Sequence, residues 1–339
     1  MEKEGKWMLP SYEDVIRGIS VGEAWQQLRR HRNKALVLRS LSWILGAVIF
    51  VVGVCILVLV VQDGEWDDSE GQGAALVFGV VVIICSFIYM RYASRRIIKS
   101  YSRHYKRLIV PPLVANMIEQ ASYEGDAGAR FICHYEAEGG IPLEELLKVP
   151  LFDYLQAATK YTSEDLFAGT LGETDFKLAE LHAQEVEETE DGNTTSTVFE
   201  GLIFMADFHK HFAGTTTIAS RKGRIGYPPS LSGSKMNTVS HEFDQHYRLR
   251  TTNETTSRYL LPVDMLERLV RLREQFPKKG IHLCLHEGML VIAIHRVDFF
   301  EVKGLRRLGE DAIMKTYQEF RSILDIVDLL NLNTRIWSK

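Results

Sequence analysis

Two long apolar stretches near the start dominate the hydrophobic pattern of this chain. Residues 41–61 (LSWILGAVIFVVGVCILVLVV) and 74–90 (AALVFGVVVIICSFIYM) contain no Lys, Arg, Asp, Glu or His. A helix of about 20 apolar residues crosses the hydrocarbon core of a bilayer, which is about 30 Å thick. The pattern therefore predicts a two-helix transmembrane hairpin over residues 41–90, with spans at 41–61 and 74–90.

Helical periodicity continues on both sides of the predicted hairpin. Residues 1–40 are predicted to form a helical segment, in which Ser11 followed by Glu13 and Asp14 suits a helix start. After the second span, the apolar residues up to Ile109 recur at spacings of three to five. We therefore expect a helical stalk over residues 91–125, which two consecutive prolines at 111 and 112 interrupt or restart.

Alternating apolar and polar positions replace the helical period in residues 126–339. We expect strands at 130–135, from Phe176 into the acidic run 185–191, and at 195–208, 215–219, 238–249, 257–261, 281–285 and 290–294. The Asp191-Gly192 pair predicts one hairpin turn, and His286-Glu287-Gly288 predicts another. A loop rich in Gly, Pro and Ser covers 221–235, and helices are expected at 262–276 and 310–330. The fold class is therefore α+β, a mainly antiparallel sheet with flanking helices.

The distribution of charge predicts the orientation of the hairpin. The loop 62–73 carries five acidic residues and no basic one, whereas both flanks are basic. Because Lys and Arg collect on the cytoplasmic side, we expect both termini and the main domain in the cytoplasm, at a bacterial inner membrane. Four cations after the second span also offer contacts to anionic lipid, as an alternative to a role in topology alone. They are Arg91, Arg95, Arg96 and Lys99.

Histidines and one carboxylate supply the weak candidates for metal ligands. The segment 241–246 (HEFDQH) differs by one inserted residue from the H-E-x-x-H pattern of zinc proteases. A separation of five spreads His241 and His246 by about 140° on a helix and places them on opposite faces of a strand. We interpret this segment as a polar strand and keep Glu242 with both histidines as a candidate. His209 and His211 lie on one side of a predicted strand and are a second candidate.

Other chemistry finds little support in the sequence. Phosphate-binding patterns such as G-x-x-x-x-G-K-[ST] and G-x-G-x-x-G are missing, as is the G-x-S-x-G elbow of hydrolases. We therefore predict no catalytic residue and no cofactor. From residue 111 onward the chain has 25 Lys and Arg residues against 34 Asp and Glu residues. This net negative charge disfavours nucleic acid as a partner.

The middle of the chain resembles a known family. The block 199–220 (FEGLIFMADFHKHFAGTTTIAS), the run 257–269 (SRYLLPVDMLERL) and the upstream stretch 172–182 (GETDFKLAELH) carry the resemblance. In order and spacing they are similar to a family of bacterial membrane proteins catalogued as domain of unknown function 3137. The resemblance covers roughly residues 90–300. It implies a bacterial source and a paired-span anchor with a cytosolic domain, and it carries over no catalytic residue.

Three hypotheses for the function follow from these patterns. The first is a non-catalytic, cytoplasmic-facing binding or scaffolding module that the hairpin holds in the lipid bilayer, with a protein partner that the sequence does not identify. The second is a membrane-tethered, metal-dependent hydrolase. The third is an oligomeric channel or a transporter accessory subunit. Small residues in the spans, including Gly46, Gly53 and Gly79, also suit packing within one hairpin or between two copies in a homo-oligomer.

Overall fold

A computed structural model describes the chain over the following ranges: 6–8, 10–20, 22–62, 69–124, 131–171, 174–189, 192–207, 212–223, 229–297, 305 and 310–329. The chain divides into two compact units. The helical unit comprises residues 19–109 and 301–312. The sheet unit comprises residues 1–18, 110–300 and 313–339.

The described residues form long helices in the first third of the chain and a mixture of strands and shorter helices after it. In chain order the elements are β1 (Lys6–Met8), α1 (Tyr12–Ser20), α2 (Glu23–Gln62), α3 (Ser69–Leu108), α4 (Val110–Glu119), β2 (Ser122–Glu124), β3 (Phe131–Glu136), α5 (Leu143–Leu146), a 3₁₀ helix (Pro150–Ala157), β4 (Lys160–Leu171), β5 (Thr174–Thr189), β6 (Gly192–Asp207), β7 (Thr215–Ser220), β8 (Ser234–Met236), α6 (His241–His246), β9 (Tyr247–Thr251), α7 (Glu254–Leu260), α8 (Val263–Gln275), β10 (Ile281–His286), β11 (Met289–His295) and α9 (Glu310–Leu329).

Two antiparallel helices of 40 residues each, α2 and α3, make up most of the helical unit. Small residues allow them to approach closely, as the sequence predicts. A Cβ added at Gly53 would lie 3.3 Å from the Gly79 carbonyl oxygen, and the Ser86 hydroxyl donates to the Gly46 carbonyl at 3.2 Å. The buried positions of α2 recur mostly every seven residues, which is the spacing of a helix–helix seam. They are Leu28, Ala35, Ser42, Gly46, Gly53 and Val60.

Most of the apolar surface of α2 and α3 is exposed. In the most apolar 18-residue window of each helix, only 17% and 11% of the residues are buried. A core helix of a water-soluble protein would bury its apolar face against neighbouring elements. By length and composition, both helices are long enough to cross a membrane.

A nine-stranded sheet of antiparallel pairs, in the order β3-β4-β5-β6-β11-β10-β7-β9-β8, forms the centre of the sheet unit. This architecture confirms the predicted mixture of helices with a mainly antiparallel sheet. One face packs under α5 and the 3₁₀ helix, where Phe152 and Leu155 are fully buried against Ile203 and Val291. On the other face, the ring of Phe320 from α9 stacks on Phe131. The sheet is therefore covered by helical segments on both faces.

Local signals explain several boundaries of these elements. Glu287 and Gly288 both have positive φ, at 47° and 85°, which is the conformation of a tight two-residue hairpin turn between β10 and β11. The Ser240 hydroxyl accepts a hydrogen bond from the Phe243 N–H and caps α6. The Asn253 side chain caps α7 in the same way.

The structure corrects two predicted strands. Residues 241–246 form helix α6 rather than a polar strand, and only residues 247–249 of the predicted strand 238–249 belong to a strand, β9, which continues to Thr251. Residues 257–261 were expected as a strand, but 254–260 form α7. Both errors have one cause, since Ser240 and Asn253 supply helix caps that outweigh the β-rich composition of the residues that follow.

The alternation of apolar and polar residues did not predict strand β4, which the structure shows. Its register with β5 shifts between Glu164 and Phe167, at a bulge where the buried Asp165 has a φ of 57°. A bulge inserts one residue and reverses the alternation of inward and outward side chains. The loop predicted at 221–235 likewise ends in a short strand, since β8 begins at Ser234.

Candidate functional site

The structure places three of the five candidate metal ligands on α6. His241 and Glu242 are exposed there, and His246 is partly buried. The neighbouring Asp244 carboxylate accepts hydrogen bonds from the N–H and the hydroxyl of Thr238. His209 and His211 lie outside the described residues. The metal site therefore stays a prediction.

A group of three carboxylates comes together on β4 and β5, away from the predicted histidines. Oxygen atoms of Glu164, Asp165 and Glu180 all lie within 4.8 Å of one another. The register that pairs Glu164 with Glu180 creates the group, and the bulge turns Asp165 into the protein. The Tyr135 hydroxyl donates a hydrogen bond of 2.5 Å to Asp165, and burial followed by the negative charge of Asp165 raises the pKa of this tyrosine.

Sequence reasoning missed this group for a specific reason. Glu164 and Asp165 belong to a strand that was not predicted, and Glu180 lies fifteen residues further along the chain. Only the strand pairing brings them together. The Glu164-Asp165 pair inside an otherwise strand-like stretch was the available signal, because a bulge commonly carries a polar residue inward.

Two buried histidines meet on β10 and β11. His295 Nε2 lies 3.2 Å from His282 Nδ1, and each residue is only 1% exposed. The ring of Phe199 packs on His295 with a centroid distance of 4.6 Å. Burial, followed by the positive charges of His295 and Arg248, lowers the pKa of His282 to about 3. Burial is also the main reason that the pKa of His295 falls to about 4.

This pair predicts acid-sensitive stability. The folded protein keeps both imidazoles neutral down to about pH 4, whereas the unfolded chain binds protons near pH 6.5. Stability is therefore complete above about pH 6.5 and falls on acidification, by up to about 1.4 kcal/mol per pH unit for each histidine. We expect the thermal midpoint of His282→Gln to fall less between pH 7.5 and pH 5 than that of the unaltered chain, since one of these two buried imidazoles is removed.

The control for the acid prediction is His241→Gln, which removes an exposed imidazole from α6. Thermal unfolding of the full chain in detergent at the two pH values gives the comparison. An equal flattening of the pH dependence in both variants would contradict the assignment to the buried pair.

A two-stranded arm extends from the sheet where β5 meets β6. The pairing of these strands runs from Phe176 with Ala206 to Thr189 with Gly192. The neighbouring strands stop earlier, because β4 pairs with β5 only as far as Gln184 and β11 pairs with β6 only from Gly201 onward. We call residues 185–189 and 192–197 the hairpin arm.

The two strands of the hairpin arm differ in their chemistry. The β5 strand carries Glu185, Glu187 and Glu188, of which the last two are exposed. Opposite them, residues 193–197 (NTTST) are all exposed and are rich in β-branched threonine. An exposed strand edge presents unpaired N–H and C=O groups on which an extended segment can pair. The hairpin arm therefore offers an acidic, strand-competent surface.

The four cations predicted to contact anionic lipid lie on α3, beyond the apolar window. Arg91, Arg95, Arg96 and Lys99 are all exposed. Successive residues of a helix are turned by about 100°, so Arg91, Arg95 and Lys99 lie within about 80° of one another, whereas Arg96 is turned by about 100° from Arg95. Arg96 therefore faces different surroundings on α3 from the other three.

Comparison with known proteins supports the family resemblance. A sequence model of the family described as protein of unknown function (DUF3137) matches residues 197–332. This match confirms the resemblance predicted from the sequence, over the part of the chain that runs from within β6 through α9. No curated protein matches the chain.

One solved structure is similar to this chain at low identity. It is the mycobacterial trehalose monomycolate transport factor A, TtfA, with 10% sequence identity and a TM-score of 0.30. The similarity covers 58% of this chain and 88% of that one. A likeness of this size carries no argument for the function of the present chain.

Proposed function

We propose that this chain is a membrane-anchored binding module of a bacterial cytoplasmic membrane. Helices α2 and α3 anchor it, and the sheet unit binds a protein partner in the cytoplasm through the hairpin arm. The exposed hairpin arm is the observation that carries the binding role. The exposed apolar windows of α2 and α3 support the anchor.

The anchor follows from the cost of leaving these helices in water. Each apolar side chain moved from water to hydrocarbon is stabilised by about 25 cal/mol per Å² of buried surface. Trp43, Val61 and Ile88 are at least 50% exposed, as are many of their neighbours in α2 and α3. A bilayer can bury this surface without any further protein contact, because the spans contain no Lys, Arg, Asp, Glu or His.

The orientation rests on the charges that flank the anchor. Basic residues before the first span and after the second one favour the cytoplasmic side, and the acidic loop between the spans favours the opposite side. The sheet unit follows α3 in the chain and would therefore lie in the cytoplasm.

The chemistry of the hairpin arm specifies the partner. Glu187 and Glu188 are exposed next to a strand edge, so a partner that supplies a basic, extended segment would gain backbone hydrogen bonds and charge pairing together. Exposed charge pairs contribute little singly, about 0–1 kcal/mol each, so affinity would come mainly from strand pairing. Specificity and the rate of association would come from the glutamates.

Site-specific crosslinking in intact cells tests the binding role. A photo-reactive residue at Thr195 is expected to give a discrete protein adduct, because Thr195 is exposed on the hairpin arm. The double substitution Glu187→Lys and Glu188→Lys is expected to reduce the adduct about tenfold, since it replaces attraction to a basic segment by repulsion.

Glu144→Lys combined with Glu267→Lys is the matched control. It makes the same change of charge at two exposed acids outside the hairpin arm and should leave the adduct within about twofold. No adduct, or an equal loss in both double variants, would refute the binding surface. Protease cleavage of the sheet unit from outside intact cells would refute the orientation.

A further inference from the structure

A cleft of about 680 Å³ lies between the first half of α2 and the second half of α3. One end of the cleft lies inside the predicted spans, where Leu41, Leu45 and Tyr89 line it. The other end lies beyond the spans, where His31 and His104 line it. From Leu45 to His31 the helical rise covers about 21 Å, at about 1.5 Å per residue.

The lining of the cleft changes character along this length. Leucines dominate its walls within and just beyond the first span, whereas its outer part is cationic, with Lys34 and Arg96 on opposite helices. No carboxylate is among its lining residues. This gradient from apolar to cationic matches a lipid molecule, whose acyl chain and anionic headgroup require these two environments.

Two further polar side chains, Tyr101 and His104, line the outer part of the cleft. Tyr101 is 2% exposed, and its buried hydroxyl interacts electrostatically with Arg32, which is not a lining residue. The imidazole of His104 stacks on that of His31 at a centroid distance of 4.0 Å, and its Nδ1 pairs with the Ser100 carbonyl at 2.8 Å.

We propose that this cleft binds one anionic glycerophospholipid. The headgroup phosphate lies between Lys34 and Arg96, while one acyl chain follows Leu41 and Leu45. Charge complementarity carries the choice of an anionic lipid. The proposal rests on the membrane anchor of the proposed function, and it is independent of the hairpin arm.

The cations that lie close together in the sequence of α3 have different roles at this site. Arg96 lines the cleft, but Arg95 and Lys99 do not. If these cations acted only through general attraction to the membrane surface, each would contribute about equally. A built site instead gives Lys34 and Arg96 a larger effect than neighbours of equal charge.

Native mass spectrometry of the full chain, released from detergent after titration with phosphatidylglycerol, tests this site. We expect one retained lipid per chain, and about 30-fold weaker binding in the double variant Lys34→Gln and Arg96→Gln, from two cationic contacts. The matched double variant Arg95→Gln and Lys99→Gln removes one Arg and one Lys outside the cleft, and it should bind within about threefold of the unaltered chain.

Several results would overturn the lipid site. They are equal losses in the two double variants, equal retention of zwitterionic phosphatidylcholine, or no retained phosphatidylglycerol. Binding of inorganic phosphate as tight as that of the lipid would show that the acyl chain is not recognised and would also refute the proposal. A failed lipid titration with intact crosslinking at Thr195 would remove this site alone and leave the proposed function standing.

Discussion

Replacing Gly201 with alanine is expected to destabilise the sheet unit by about 3 kcal/mol. Gly201 lies in β6, pairs with Leu181 on one side and with His295 on the other, and has a φ of 154°. A Cβ at this position would lie 2.1 Å from the Ile294 carbonyl oxygen and 3.0 Å from the His295 Cα. Because the obstructing atoms belong to the backbone, the two strands would have to separate.

Thermal unfolding of the full chain measures this effect. A loss of about 3 kcal/mol lowers the midpoint of a unit of this size by about 6–12 °C. Gly192→Ala is the control, since Gly192 also has a positive φ, at 120°, but a Cβ there would meet nothing within 4 Å. We expect the control to lose only about 1 kcal/mol, which is the conformational cost alone. Equal shifts would show that the close approach of β6 to β11 is unimportant.

The second large effect is expected at Arg273, whose substitution by methionine should cost about 3 kcal/mol. Arg273 is 5% exposed, and its guanidinium donates to the carbonyl oxygens of Phe276, Pro277, Lys279 and Lys222. It therefore ties the end of α8 to the segment that leads into β10 and to the loop after β7. Each such hydrogen bond contributes about 0.5–1.5 kcal/mol net, and the carbonyls that lose their donor stay poorly solvated.

Arg271→Met provides the comparison for Arg273, because it makes the same substitution at an exposed position of α8. The control should change stability by no more than about 0.5 kcal/mol. Arg273→Lys should recover part of the loss, since an ammonium group retains three donors. Equal thermal midpoints for the two methionine variants would contradict the role assigned to the buried guanidinium.

Arg273 also shows where inference from the sequence ends in this protein. The apolar stripe of α8, with Met265, Leu266, Leu269 and Leu272, is visible in the sequence and is buried as expected. A charged residue on the same helix is normally assigned to solvent. Its burial depends on four carbonyl groups, from segments as far apart as Lys222 and Lys279, and no local pattern indicates them.

In the candidate sites, too, some features are visible in the sequence and others only in the structure. The lipid cleft combines a seam of small residues, which the sequence shows, with the placement of Tyr101 and Arg96 across from Lys34, which it does not show. The carboxylate group depends on the bulge at Asp165, and the histidine pair depends on the register of β10 with β11. In each case the contact joins residues that are distant in sequence, so that pairing and packing create it.

Residue order alone was enough for the features that depend on local periodicity and composition. The two long apolar helices, the β10–β11 hairpin, the helix at 263–275 and the mixed fold class are of this kind, because each follows from nearby residues that share one face or one turn. Helices α6 and α7 also have a local cause, since the side chains of Ser240 and Asn253 cap them, but the alternation of apolar and polar residues did not indicate it. Three-dimensional packing was needed for strand β4 and for every cluster of side chains that could carry chemistry. There, a bulge or a neighbouring strand outweighed the local pattern, since the energies of tertiary contacts exceed those of intrinsic preference.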